Sequence, residues 1–233
     1  MTELHGSERA RYVQEMFTEI APHYDLMNRL MTFGQDVIWR RQVIRRARLE
    51  SGSRLLDLGS GTGDLAGEAL RQCPQAQVVA ADFTLGMMLT GKSRYASENL
   101  GWSAADARQL PFPDESFDAV VSGFLLRNVT DLPQSLVEQR RVLKQGGRLV
   151  ALDTTPPANN LLAPFIRIHL HTIIPTLGQM ISGKTEAYKY LPDTTENFLE
   201  AERLAARFVA AGFRQVGFVR LMFGTIAIHW GIK

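Results

Sequence analysis

The chain has 233 residues, of which 26 are Lys or Arg and 24 are Asp or Glu, so its net charge is only +2. This length predicts one domain with a full hydrophobic core, and the near balance of charge argues against nucleic acid as a partner. The single cysteine, Cys73, excludes an intrachain disulfide and is consistent with a reducing cytoplasm.

Apolar residues recur at helical spacing through most of the first fifty positions. They predict helices at 7–20 and 24–31, and a third helix at about 37–51. Because these helices precede the first strand, we expect residues 1–50 to form a helical cap over a ligand site in residues 51–233.

Strands and helices alternate from residue 54 onward. An insertion at about 154–193 interrupts the alternation, and the last two strands are too close in sequence for a crossover, so they must pair as an antiparallel hairpin. The pattern predicts an α/β fold, a doubly wound, mostly parallel seven-stranded sheet preceded by the helical extension. The predicted strands are 54–58, 77–82, 102–104, 117–122, 148–152, 214–219 and 224–230, and the predicted helices between them are 63–72, 85–96, 133–143 and 195–211.

Three glycines follow the first predicted strand, at Gly59, Gly61 and Gly63. Glycine permits positive φ and lets a ligand approach the main chain, as in nucleotide-binding turns. The run lacks the lysine of a Walker phosphate loop, and its spacing is one residue short of the dinucleotide pattern Gly-x-Gly-x-x-Gly. The turn therefore predicts a nucleotide-like ligand without identifying it.

Three acidic residues accompany the glycine turn and narrow the choice of ligand. Asp57 precedes the turn, Asp82 ends the second predicted strand and Asp106 follows the third. An acidic side chain at the end of the second strand can accept hydrogen bonds from both hydroxyls of a ribose. One at the end of the third strand can accept a hydrogen bond from an adenine amino group. Because no Lys or Arg in the turn would balance a pyrophosphate, the set favours a cationic nucleoside, S-adenosylmethionine. The alternatives are a turn-bracing role for Asp57 and a surface position for Asp82.

The nucleotide half resembles class I methyltransferases that depend on S-adenosylmethionine. Further segments resemble the quinone-biosynthesis C-methyltransferases of the menaquinone and ubiquinone pathways. The chain departs from that family at Leu125, Gln145 and Asp36, where glycine, proline and histidine are usual, and the aspartate resembles the menaquinone branch. Asp153 and Thr155 replace a common glutamate and serine. The matching segments are Tyr24–Asn28 with Trp39-Arg40, Phe124–Asp131, Arg141–Gly147 and Tyr188–Pro192.

The resemblance implies methyl transfer to a ring carbon of a prenylated quinol. Demethylmenaquinol is the expected acceptor, and a ubiquinone-pathway benzoquinol or another lipophilic phenol is the alternative. The family also implies cofactor contacts from Thr62, Asp82, Asp106, Ala107 and Ser122. Together with the glycine turn, the predicted S-adenosylmethionine site comprises Asp57, Gly59, Gly61, Thr62, Gly63, Asp82, Asp106, Ala107 and Ser122.

The implied reaction needs help with proton loss, because a ring carbon is a poor nucleophile until the adjacent phenol is deprotonated. Arg127 would not be a base at neutral pH, but it can stabilise a developing phenolate or orient a water molecule; a structural salt bridge with Asp131 is the alternative. Two histidines, at 169 and 171, lack further ligands at metal spacing, so we predict no metal site. The catalytic candidates are Arg127, Asn128, Tyr24 and Asp36, with His23 also considered.

The insertion is strongly apolar between residues 158 and 181. Two prolines, an arginine and two histidines interrupt this region, so it predicts no membrane span. It predicts either an ordinary helix that covers the core or a lid for a prenyl tail that also touches the membrane. We expect a cytoplasmic enzyme with a prenylated quinol as its partner. Peripheral contact with the inner face of the membrane and a homodimer are both left open.

Overall fold

Seven strands form one sheet in the computed structural model, which describes residues 6–156, 166, 168–182, 190 and 194–233. The strands are β1 (Arg54–Leu58), β2 (Gln77–Asp82), β3 (Leu100–Ala104), β4 (Phe117–Gly123), β5 (Leu143–Thr154), β6 (Arg214–Leu221) and β7 (Ile226–Ile232). They lie in the order β3-β2-β1-β4-β5-β7-β6. The first five strands pair in parallel, and β7 pairs antiparallel with both β5 and β6. The predicted sheet with its C-terminal hairpin is therefore confirmed.

Helices precede the sheet and connect its strands. Pro22 lies in a short 3-10 turn that separates the first two helices, and Gly34, with φ of 75°, precedes the third. Further 3-10 turns occupy Leu126–Asn128 and Met222–Gly224, and a π-helical turn occupies His169–Ile173. The helices are α1 (Gly6–Ile20), α2 (Tyr24–Met31), α3 (Gln35–Ala47), α4 (Asp64–Gln72), α5 (Leu85–Arg94), α6 (Leu132–Val142), α7 (Ile174–Ser182) and α8 (Ala201–Ala210).

Two apolar clusters cover the two faces of the sheet. Successive strand side chains point to opposite faces, so Leu55 and Val121 pack in one cluster, while Leu56 and Val120 pack in the other. Residues of α3 and α4 complete the first cluster, and residues of α6 and α8 complete the second. Both faces are therefore buried, and a ligand site is left to the edge where the parallel strands end.

The three N-terminal helices divide between the core and the region over that edge. Trp39 and Val43 of α3 are buried with the first sheet cluster. In contrast, Met16 of α1 and Met27 of α2 form a separate cluster with Ile174 of α7. We propose that α1 and α2 form the cap over the ligand site, with α3 as part of the methyltransferase core.

Much of the predicted insertion at 154–193 lies outside the described residues, namely 157–165, 167, 183–189 and 191–193. The Tyr188–Pro192 segment is likewise outside them, apart from Tyr190. Among the helices that the structure does describe, none is both long and apolar enough to cross a bilayer.

Candidate active site

A cavity opens at the edge of the sheet where β1, β2 and β4 end. Residues at the ends of these strands line it, among them Leu58, Asp82 and Gly123. We call it the cofactor cavity. Tyr24 of α2 also lines it. The predicted cofactor residues that line this cavity are Gly59, Gly61, Asp82, Asp106 and Ala107.

The glycine turn and Asp82 hold each other in place. The backbone N–H of Gly61 donates to Asp82 Oδ2 at 2.8 Å, and that of Thr84 donates to Oδ1 at 2.7 Å. At Gly59, with φ of 67°, an added Cβ would lie 2.8 Å from Leu125 Cδ1, so the turn requires glycine there. Burial raises the pKa of Asp82 and the backbone hydrogen bonds oppose that effect. Its two oxygens can accept further hydrogen bonds from a ligand.

Asp106 lines the cofactor cavity together with Arg108, a residue that the sequence analysis did not consider. Arg108 Nη2 lies 2.7 Å from Asp106 Oδ2. Hydrogen bonding to Arg108 lowers the pKa of Asp106, so this residue remains a carboxylate at neutral pH.

Four predicted cofactor residues, Asp57, Thr62, Gly63 and Ser122, are not among those that line the cavity. Asp57 is fully buried, and its Oδ2 accepts from the N–H of Ala66 at 2.9 Å, so it braces the start of α4. Thr62 Oγ1 donates to Asp25 Oδ1 at 2.8 Å, which ties the glycine turn to α2. Asp57 and Thr62 therefore support the turn and the helix after it without lining the cavity.

A second cavity adjoins the first and has an empty volume of about 1330 Å³. We call it the apolar cavity, because most of its wall consists of hydrophobic and aromatic side chains. Its polar contributions come chiefly from Asn28, Arg127, Thr154 and His169. The apolar wall is formed by Met31, Phe33, Phe124, Ile166, Ile174, Met222, Phe223 and Ile226.

Tyr24 and Phe124 line both cavities, so they lie where the two spaces meet. Burial raises the pKa of Tyr24, which keeps the phenol protonated at neutral pH. Asn128 lines the cofactor cavity, where its Nδ2 donates to the carbonyl of Phe124 at 3.1 Å and its Oδ1 accepts from Tyr190 at 3.1 Å. Two small-molecule sites with a shared wall are the arrangement that a group transfer between two bound molecules needs.

Arg127 lies in the wall of the apolar cavity and is held from behind by Asp153. Its Nη1 lies 2.8 Å from Asp153 Oδ1, and its guanidinium lies 5.0 Å from the centre of the Phe124 ring. The alternative salt bridge with Asp131 is wrong, because Asp131 caps α6 by accepting from the N–H of Gln134 at 3.0 Å. The pair of Arg127 and Asp153 thus presents a buried cation to an apolar space.

Two of the catalytic candidates lie elsewhere. Asp36 is buried in an ion-pair cluster, where it contacts Arg40 and lies 3.5 Å from Arg29, and it lines neither cavity. His23 is exposed and also lines neither cavity. We therefore propose neither residue as a catalytic base. No group of three His, Cys, Asp or Glu side chains suited to a metal occurs among the residues that the structure describes.

The model of the ubiE/COQ5 methyltransferase family matches residues 4–233. The chain belongs to this family. It is 48% identical over 221 residues to a ubiquinone/menaquinone biosynthesis C-methyltransferase from Desulfotalea psychrophila, covering 95% of this chain and 90% of the relative. It is 44% identical to a demethylmenaquinone methyltransferase from Thermus thermophilus, covering 93% and 99%.

Solved structures confirm the class I methyltransferase fold. The cyclase SpnF superposes with a TM-score of 0.70 at 18% identity, covering 95% of this chain and 94% of that one. A methyltransferase dependent on S-adenosylmethionine from Aquifex aeolicus superposes with a TM-score of 0.60 at 18% identity, covering 83% and 88%. The predicted enzyme class, a methyltransferase that uses S-adenosylmethionine, is therefore confirmed by fold and family together.

In this ubiE/COQ5 methyltransferase, Thr154 and the partner of Arg127 are site features that were not predicted from the sequence. Asp153 and Thr154 end β5, the strand next to β4, and Arg127 follows β4. Polar residues at the carboxyl ends of adjacent parallel strands meet at one edge, and this signal was available in the sequence. Asn28 was seen only as part of a family segment, although its spacing of four residues from Tyr24 places both on one face of α2.

Asp57 makes the stability of the fold depend on pH. Burial raises its pKa to about 7, so the folded chain keeps a proton that the unfolded chain loses near pH 4. We expect the free energy of unfolding to fall between pH 4 and pH 7, by at most about 1.4 kcal/mol per pH unit from this group. Denaturant unfolding across that range should show the free energy of unfolding falling less steeply with pH in Asp57→Asn than in the wild type. Equal dependence on pH in the two proteins would contradict the raised pKa of Asp57.

Proposed function

We propose that the chain transfers a methyl group from S-adenosylmethionine to a ring carbon of demethylmenaquinol. The observation that carries this proposal is the pair of cavities that share Tyr24 and Phe124, one at the glycine turn and one largely apolar. The demethylmenaquinone methyltransferases of Thermus thermophilus and Deinococcus radiodurans, 44% and 40% identical, favour a naphthoquinol acceptor.

The lining of the cofactor cavity fits S-adenosylmethionine. Two carboxylates, Asp82 and Asp106, suit the hydroxyl and amino groups of a nucleoside, and Leu58 and Met87 supply apolar walls. We propose that Asp82 accepts from the ribose and that Asp106 and Ala107 hold the adenine end. When bound, the cofactor supplies an electrophilic methyl group on a positively charged sulfur.

Arg127 is proposed to stabilise the nucleophile. A quinol ring carbon becomes strongly nucleophilic when the neighbouring hydroxyl loses its proton to water, and the buried guanidinium of Arg127 can hold the phenolate that results. Attack by that carbon would form the carbon–carbon bond as the methyl–sulfur bond breaks, with S-adenosylhomocysteine as the leaving group. The hydrogen on the attacked carbon would then be lost to water as a proton, which restores the aromatic ring as a phenolate beside Arg127, and that oxygen would regain a proton. Tyr24 and Phe124, between the two cavities, restrict water at the point of transfer. The amide of Asn128 is fixed by hydrogen bonds with Phe124 and Tyr190. We propose that Asn128 helps to position the bound cofactor where the two cavities meet.

A benzoquinol is the second candidate acceptor, because the 48% identical relative is named for both ubiquinone and menaquinone biosynthesis. An acceptor panel with labelled methyl donor separates the two. The proposal expects the higher kcat/KM with a prenylated naphthoquinol, and a preference for the benzoquinol would transfer the assignment to the ubiquinone pathway.

We further propose that the enzyme meets its acceptor at the cytoplasmic face of a membrane. Two aromatic side chains in the wall of the apolar cavity, Phe33 and Phe223, are 75% and 69% exposed. Leu26 and Leu30 are also exposed and lie four residues apart on α2, and Phe33 follows two residues after that helix ends. Exposed apolar side chains beside an apolar cavity are typical of interfacial contact.

Replacing both aromatic residues should weaken membrane binding. Because each buried Phe contributes about 1.5–3 kcal/mol at most, we expect Phe33→Ser with Phe223→Ser to reduce binding to vesicles of phosphatidylethanolamine and phosphatidylglycerol about tenfold or more. Co-sedimentation measures this. Leu89→Ser, which removes an equally exposed side chain on α5 that lines neither cavity, is the control. Equal binding by all three proteins would contradict the proposed contact.

A further inference from the structure

Two buried polar side chains face the apolar cavity without a hydrogen-bond partner among the residues that the structure describes. They are Asn28, through Nδ2, and Thr154, through Oγ1. Each residue is only 8% exposed. A buried donor or hydroxyl left unpaired destabilises the fold, so both positions carry a penalty that a ligand group could remove.

The two side chains come from different walls of the cavity. Asn28 lies on α2, one turn after Tyr24, and interaction with its side chain lowers the pKa of Tyr24 against the larger effect of burial. Thr154 is the last residue of β5, and its backbone N–H donates to Asp153 Oδ1 at 2.8 Å. Thr154 is therefore next to the residue that holds Arg127, in the half of the cavity where the reaction is proposed to occur.

Three other polar groups of the same cavity, those of Thr225, Thr32 and His169, have hydrogen-bond partners. Thr225 Oγ1 donates to the carbonyl of Met222 at 2.8 Å, and Thr32 Oγ1 donates to the carbonyl of Asn28 at 2.7 Å. His169 Nε2 lies 3.1 Å from the carbonyl of Met31. Asn28 and Thr154 thus differ from their neighbours, because their side-chain atoms remain available to whatever fills the cavity.

We propose that Asn28 and Thr154 bind the hydroxyl oxygens of a dihydroxylated aromatic ring and so select an oxygenated ring over a hydrocarbon of the same shape. The inference rests on the proposed function, because it assigns the acceptor of that reaction to the apolar cavity. The chemistry is complementary: the amide donates, the threonine hydroxyl both donates and accepts, and a phenolic hydroxyl does both. The remaining wall would hold the ring faces and an apolar tail.

Ligand binding tests the proposal without turnover. The probes are a 1,4-naphthoquinol with one prenyl unit and the naphthalene with the same prenyl unit but no hydroxyl, each titrated into protein saturated with S-adenosylhomocysteine. We expect Thr154→Val and Asn28→Leu each to raise the Kd of the quinol roughly 2- to 10-fold, the value of one hydrogen bond. The Kd of the hydrocarbon should stay the same or fall.

Two controls separate this role from a general effect on the cavity. Thr225→Val makes the same chemical change in the same cavity at a hydroxyl that is already bonded, and should leave the ratio of the two Kd values unchanged. Thr154→Ser keeps the hydroxyl and should retain the wild-type ratio. Equal weakening of both ligands, or an unchanged quinol Kd in both variants, would overturn the proposal. If the wild-type protein binds the quinol selectively but does not methylate it, the proposed function fails while this binding role stands.

Discussion

Replacing Arg127 with methionine should reduce kcat about 100- to 1000-fold, the loss seen when one donor to a developing anion is removed. The reason is that Arg127 is the buried cation in the wall of the apolar cavity, held there by Asp153 at 2.8 Å. Since Arg127 does not line the cofactor cavity, the Kd for S-adenosylmethionine should change less than threefold. Single-turnover kinetics and calorimetry measure the two quantities separately.

The same substitution should also destabilise the fold, because it leaves the carboxylate of Asp153 buried and unpaired at a cost of about 3–5 kcal/mol. The double variant Arg127→Met with Asp153→Asn removes that charge. It should recover much of the lost free energy of unfolding without recovering activity. Turnover by the stable double variant within tenfold of the wild-type rate would show that Arg127 has a structural role only.

Replacing Asp82 with alanine should raise the Kd for S-adenosylmethionine about 100-fold, because two hydrogen bonds to a charged acceptor contribute about 3 kcal/mol or more. Asp82 is the carboxylate that lines the cofactor cavity and accepts from Gly61 and Thr84. The variant therefore loses both the proposed ribose contact and support for the turn. Calorimetric titration gives the Kd, and binding of a naphthoquinol to the apolar cavity should persist.

Asp118→Ala is the matched control for this prediction. Asp118 also lies on a strand and accepts from a backbone N–H, that of Arg54 at 2.8 Å, but it lies outside both cavities. Its replacement should leave cofactor binding unchanged. An Asp82→Ala protein that binds the cofactor within threefold of wild type would remove Asp82 from the site.

The sequence predicted the fold well because the fold depends on patterns that are local in the chain. The run from Leu55 to Asp64 shows a buried strand, a glycine turn and a helix start, and the short spacing of the last two strands requires a hairpin. Local patterns do not identify side-chain partners that are far apart in the sequence. Arg127 was considered with Asp131, four residues away, whereas its partner is Asp153, 26 residues away on the neighbouring strand.

In the candidate site, too, positions set by the strands could be predicted, whereas side-chain partners distant in sequence could not. Gly59, Gly61, Asp82 and Asp106 could be placed at the cavity because parallel strands end at one edge, whereas Ala107 was implied by the family resemblance. The burial of Asp36 among Arg29 and Arg40 could not be predicted, because charged residues in a helix usually indicate an exposed face. Nor could the packing of α3 on the sheet, since helical periodicity identifies an apolar face without identifying what covers it.

The central claim is that this ubiE/COQ5 methyltransferase joins two cavities for methyl transfer to a quinol carbon. The most direct measurement is to incubate the protein with isotopically labelled S-adenosylmethionine and a reduced, short-chain demethylmenaquinol, and to locate the label by mass spectrometry and NMR. The account predicts one labelled methyl group on a ring carbon, formed at a rate that Arg127→Met lowers about 100- to 1000-fold. A label on oxygen, or no transfer when both molecules are bound, would contradict it.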